Sequence, residues 1–165
     1  MVIFAIDPGS EETGFVFYKH TSGEHESSRI IAKGKVPNQS ILNYITKNSN
    51  KGIVCYIEDL AQYGSGVGKS MFDTAKFIGM VQERCNSLGI KWNMAFRKTI
   101  VTHHTDNPKA NDAIIHQFMI DTFGPKGTQK NPGPLFGFAK DMFSALAIAM
   151  YGSDMETKKE KESKK

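Results

Sequence analysis

Cysteine is scarce in this chain of 165 residues: there are 2, Cys55 and Cys85. Both fall at apolar positions of a predicted strand and helix. They read as buried free thiols of a reducing compartment, so no disulfide framework is expected. No CxxC pair supports a zinc site. Long apolar runs are missing too, and nothing approaches the roughly 20 residues that a membrane span requires. The first apolar run is too short for a signal peptide and has no basic lead. A cytoplasmic protein with no membrane partner is therefore expected. Charge of one sign is only mildly in excess: a net +4 and a pI near 9.0 fit a polyanionic partner without demanding one. No internal repeat is present. The stretch Gly66-Val67-Gly68-Lys69-Ser70 falls short of a phosphate-binding loop, because Tyr63 stands where the pattern needs glycine.

What the chain does have is acids in unusual places. Val2-Ile3-Phe4-Ala5-Ile6 reads as a buried strand, and Asp7-Pro8-Gly9-Ser10 ends it. A carboxylate at the tip of a core strand is expensive unless something positive pairs with it. Ile53-Val54-Cys55-Tyr56-Ile57 repeats the pattern and ends in Glu58. Asp141 opens an apolar helical run from Met142 to Tyr151. Taken singly, the three have ordinary explanations as a turn former, a solvated strand end and a charge favoured by a helix dipole. Taken together, oxygen-only ligands at the edges of buried elements suit Mg²⁺ or Mn²⁺. Two such ions can activate a water and stabilise the leaving oxygen of a phosphodiester. Basic residues recur from Lys91 to Lys109 and at Lys126 and Lys130. Beside an acidic metal site these are candidate phosphate contacts.

The periodicity predicts strands at 2–6, 13–19, 28–34, 53–58 and 90–95. Helices are predicted at 38–48, capped by Asn38, and at 71–88, capped by Ser70 with Met71, Ala75, Ile78, Cys85 and Leu88 facing the core. Further helices are predicted from Pro108 to Phe123 and over 140–151. Hairpin strands followed by alternating helices and strands give an α/β domain with a mixed sheet, here five-stranded and flanked by helices. The domain is expected to span 1–152, with 153–165 a charged, disordered tail. His103-His104 is read as part of a polar, extended loop, where adjacent side chains point apart and a shared ion is not expected.

With these elements placed, residues 1–152 resemble RuvC-type Holliday junction resolvases (crossover junction endodeoxyribonucleases) of the RNase H-like superfamily. The resemblance rests on Ile6-Asp7-Pro8-Gly9-Ser10 with Thr13-Gly14, on Ile57-Glu58 followed by a loop and a helix, and on Asp141 before Ser144-Ala145-Leu146-Ala147-Ile148-Ala149. Pro132-Gly133-Pro134-Leu135-Phe136-Gly137 is similar to the phage-encoded branch, which implies a host cytoplasm. The resemblance implies an RNase H-like fold and a homodimer joined through the helix at 71–88. Each subunit would nick one strand of a four-way DNA junction. Asp7, Glu58 and Asp141 would be the catalytic acids and would hold two Mg²⁺ ions, for which Mn²⁺ may substitute, with Asp7 bridging. Tyr63 stands where the family places an aromatic wedge, which fits base unstacking. Lys69, Arg97, Lys98 and Lys109 are candidate DNA contacts.

One departure stands out. Ser144 occupies the place where the family carries a fourth acid or a histidine, and a hydroxyl is a poor metal ligand. A catalytically weak branched-DNA-binding protein, or an RNase of the same superfamily, is therefore the alternative. Asp59, next to Glu58 on an extended segment, is expected to face the other way. The opening motif is also similar to the first phosphate loop of actin-like ATPases and sugar kinases. Those proteins need a second lobe and a second glycine-rich loop, which this chain lacks.

Overall fold

A computed structural model describes residues 1–61 and 68–164. The strands are β1 (Val2–Asp7), β2 (Glu12–Lys19), β3 (Ile30–Pro37), β4 (Ile53–Asp59) and β5 (Lys91–Phe96). The helices are α1 (Asn38–Lys47), α2 (Lys69–Ser87), α3 (Arg97–Thr105), α4 (Asp112–Phe123) and α5 (Lys140–Glu162). They build an α/β fold around one mixed sheet of order β3-β2-β1-β4-β5. β1 runs antiparallel to β2 and parallel to β4; β3 is antiparallel to β2 and β5 parallel to β4.

The apolar run of β1 is unbroken because both of its faces are covered. Ile3 and Ala5 pack with Leu146 and Met150 of α5. Phe4 and Ile6 turn to the other face, against Ile41 and Ile45 of α1 and Val81 of α2. Cys55 and Cys85 are buried free thiols on this second face, their Sγ atoms 3.6 Å apart. Among the described residues no helix is long and apolar enough to cross a membrane.

Several expected boundaries move. β3 begins at Ile30 and runs on to Pro37, which caps α1 in place of Asn38. The Asn38 side chain instead donates to the Gly9 carbonyl at 3.0 Å and accepts from Thr13 Oγ1 at 2.7 Å. Gly68 rather than Ser70 precedes α2. The buried stripe of α2 is Thr74, Phe77, Ile78, Val81 and Cys85, while Ala75 faces solvent. The helix expected from Pro108 starts later, and a further helix, α3, precedes it where a loop was expected. α3 leaves β5 directly at Arg97, with no turn residue to mark the change. α4 starts only after Asn111, whose side chain accepts the Ile114 N–H.

The largest difference is at the C-terminal end. The charged segment after residue 152 continues α5 to Glu162 instead of forming a tail. Partners distant in sequence hold several of its polar and charged side chains. His20 reaches Ser153 Oγ at 3.0 Å and Glu160 at 3.2 Å, and the Tyr56 hydroxyl donates to Glu156 at 2.7 Å.

Candidate active site

The parallel register of β1 and β4 pairs Ile6 with Ile57, so Asp7 and Glu58 follow side by side. Ile6 and Ile57 both face α1 and α2. The next residue on each strand therefore turns toward the α5 side. On its other edge Asp7 pairs with Gly14, and Gly14 pairs with Lys35 of β3. Lys35, Gly14, Asp7 and Glu58 thus form one row across four strands.

Gly14 explains how Asp141 joins that row. A Cβ at position 14 would lie 2.5 Å from the Asp141 carbonyl oxygen and 2.8 Å from its Cβ. Only a residue without a side chain lets the first turn of α5 settle onto the sheet there. The turn after β1 is held as well. Gly9 N–H donates to Thr13 Oγ1 at 3.4 Å, and the Thr13–Asn38–Gly9 bonds close the loop.

Asp7 lines two cavities. It shares one, of about 440 Å³, with Asp141, Ser10, Glu12, Lys35 and Ser70. It shares the other, of about 250 Å³, with Glu58, Asp59 and Arg97. Asp59, expected on the far face, also lines this second cavity.

The electrostatics show too much negative charge in too little water. Burial first, then Glu58 and Asp141, pushes the Asp7 carboxyl up to about 7, against the pull of Arg97 and Ser144. Burial also raises Glu58, which Arg97 partly offsets. Two cations sit among the acids. Lys35 Nζ lies 2.8 Å from Asp141 and 3.6 Å from Glu12. Arg97 Nη1 lies 3.8 Å from Glu58 and donates to Ser144 Oγ at 3.2 Å. Its Nη2 donates to Asp112, which Lys140 also holds at 3.0 Å.

The donor set fits hard divalent cations: it is all oxygen, and its charge is unbalanced on Asp7. The three carboxylates are not gathered into one ion's shell. The single His/Cys/Asp/Glu trio with ligand atoms all within 4.8 Å, among the described residues, lies elsewhere. The arrangement suits two positions that share Asp7.

The other expected site residues are scattered. Ser144 is buried beside Asp7 and takes a bond from Arg97 rather than standing open as a ligand. Lys69 is the exposed first residue of α2, and Lys109 is exposed in the turn before α4. Lys98 neighbours Arg97 but also lines a cavity with Thr102, His103 and Tyr151, away from the acids. Tyr63 lies outside the described residues. Lys35 was not anticipated. Lys35 is recognisable only once the β2–β3 register is known. His103 and His104 are not on an extended loop: both lie on α3, where neighbouring residues can serve one site.

No family model matches the chain, and no curated protein matches it by sequence. Solved structures do share its fold. Thermus thermophilus RuvC superposes with a TM-score of 0.64 at 14% identity, covering 90% of this chain and 91% of that one. The same enzyme in complex with a Holliday junction substrate gives 0.64 at 13% identity, with 90% of each chain covered. The Fowlpox virus resolvase, in complex with Holliday junction DNA, gives 0.57 at 14% identity, covering 93% of this chain and 99% of that one. The chain therefore has the RNase H-like fold of these resolvases.

Proposed function

We propose that this protein is a metal-dependent, structure-selective endonuclease that cuts branched DNA, four-way junctions first, and works as a homodimer. The observation that carries this reading is the convergence of Asp7, Glu58 and Asp141 from three separate elements onto one edge of the sheet. The resolvase fold of the structural neighbours supports it.

Asp7, Glu58 and Asp141 are the residues that would hold Mg²⁺ or Mn²⁺. When bound, such ions supply a nucleophilic water and charge stabilisation at the leaving oxygen. The chain's own residues do the rest. Asp7, shared between the two cavities, sets the spacing of the two positions. Arg97 is tethered by Asp112 and Ser144 and offers its guanidinium to a scissile phosphate. Lys35 neutralises Asp141 and lies where a backbone phosphate can replace its carboxylate partner. Lys69, Lys98 and Lys109 extend the basic surface on either side. Phe72 and Met80, 59% and 52% exposed on the outer face of α2, are the apolar contacts of the dimer.

A second reading has one observation in its favour. Arg97 and Lys35 already partner the acids, as they would in a protein that binds junctions without cutting them. A nicking assay separates the two. The substrates are a labelled four-way junction, a matched linear duplex and an RNA–DNA hybrid, each with Mg²⁺ or EDTA. Symmetric, Mg²⁺-dependent cuts near the crossover, lost in Asp7→Asn, are expected. Tight junction binding without cuts under Mg²⁺ or Mn²⁺ supports the second reading, and preferential cutting of the hybrid points to an RNase.

A further inference from the structure

Away from the acids, three imidazoles surround one carboxylate between α3, α5 and the loop after β2. His103 Nε2 lies 2.8 Å from Asp154 Oδ2, and His25 Nε2 lies 3.1 Å from Asp154 Oδ1. His104 follows His103 on α3, their rings 5.0 Å apart and nearly perpendicular. One ligand atom from each of His103, His104 and Asp154 falls within 4.8 Å of the others. We propose that His103, His104 and Asp154 form a second metal site, selective for Zn²⁺ or a similar transition-metal ion, with His25 as the fourth group.

The donor chemistry points there. Two or three imidazoles with one carboxylate are the ligands of borderline-soft ions, whereas Mg²⁺ prefers oxygen alone. The outer shell is already in place. His104 Nε2 lies 2.8 Å from the Ala147 carbonyl, which can only accept, so Nε2 carries the proton and Nδ1 keeps the lone pair. A backbone carbonyl that fixes the tautomer in this way is a common support of metal-binding histidine. Tyr18 anchors His25, its hydroxyl 2.9 Å from Nδ1.

Access and size are adequate. His103 and Asp154 keep 23% and 33% of their side-chain surface, and His103 opens onto a cavity of about 560 Å³. Ligand atoms in a tetrahedral zinc shell sit about 3.4 Å apart, so an ion entering beside Asp154 would part the 2.8 Å His103–Asp154 pair by roughly half an ångström as it takes the place of the hydrogen bond. The role that follows is structural. An ion there would pin α3, the loop after β2 and the C-terminal half of α5 together, on the side of the sheet that also carries the catalytic acids.

The test uses the full chain carrying Asp7→Asn, which weakens metal binding at the acids. Co²⁺ is titrated in while the visible d–d bands are recorded, and Zn²⁺ is then added as competitor. One equivalent of Co²⁺ with the intense bands of a four- or five-coordinate site is expected. Zn²⁺ should displace it, and excess Mg²⁺ should not. His103→Gln, at a partly exposed position, should weaken binding at least tenfold while the metal-free melting temperature stays close to that of its parent. X-ray absorption of the Zn²⁺-loaded protein should show imidazole scattering, a readout independent of any further variant. Bands that stay those of aqueous Co²⁺, binding unchanged by His103→Gln, or an oxygen-only shell would each overturn the proposal.

Discussion

At the scale of single residues, Asp7 dominates. It is the most crowded of the three acids: burial, then Glu58 and Asp141 beside it, push its carboxyl pKa up to about 7. Asparagine keeps the shape and removes the charge. Asp7→Asn should therefore abolish cutting, since an amide is a poor ligand for a hard cation, yet leave junction binding intact or tighter. The same change should raise the melting temperature in EDTA by about 3–10 °C, the equivalent of about 1–3 kcal/mol in a chain of this size. Millimolar Mg²⁺ should narrow that gap by stabilising the wild-type protein more than the variant. Calorimetry with and without EDTA checks both halves. A variant that melts below wild type in EDTA would show that Asp7 is paired rather than strained.

At the scale of elements, the site depends on how α5 is seated. Gly14 sets the approach at its start and Gly152 near its middle, where a Cβ would meet the Tyr56 ring at 2.8 Å. Gly14→Ala sets a methyl against the Asp141 backbone, which has no rotamer to yield. About 1–3 kcal/mol of destabilisation is expected, together with the loss of most cutting, because Asp141 is lifted from the row. Chemical denaturation and the nicking assay read the two effects separately. Further along, Glu156 ties the helix to β4. Burial would raise its carboxyl, but the bonds from Lys159 and Tyr56 outweigh it and set the pKa below the ordinary value. A depressed carboxylate contributes stability above its unfolded pKa of about 4.3, and loses it as pH falls through the folded value. Tyr56→Phe should cost about 1–2 kcal/mol at pH 7, and its deficit should shrink below about pH 4 as Glu156 takes up a proton. A deficit that stays constant down to pH 3 would show that the contribution of the hydroxyl does not depend on the charge of Glu156.

The same elements show what the sequence could and could not disclose. Strand-end acids stand out because an apolar run interrupted by a carboxylate is a local signal, so Asp7 and Glu58 were legible, as was Asp141 at the start of an apolar helix. Lys35 was not, because its role depends on strand register, which no local pattern states. α3 was missed since Arg97 follows Phe96 without a turn residue, and Thr99, Ile100, Val101 and Thr102 are as much at home in a strand. The end of α5 was taken for a tail because its Lys and Glu side chains dominate its composition. The contacts that hold it come from His20 and Tyr56, more than ninety residues away.

At the scale of the whole molecule, one active site cuts one strand, and resolving a four-way junction takes two cuts. A homodimer that binds the junction symmetrically supplies both. The outer face of α2 is the surface best suited to self-association. Phe72, Lys76, Gly79, Met80 and Glu83 are exposed along it, and Phe72 and Met80 place two large apolar side chains on that face. Phe72→Glu with Met80→Glu places like charges where the two helices would meet. On the proposed homodimer, sedimentation should then show a monomer at concentrations where the wild type self-associates, with the circular dichroism spectrum unchanged. Because each subunit's acids come from its own chain, the monomer should still nick, but the two cuts should become uncoupled. On a cruciform plasmid, nicked circles should accumulate in place of linear product. Linear product at the wild-type rate from a demonstrated monomer would show that the two cuts do not depend on this face.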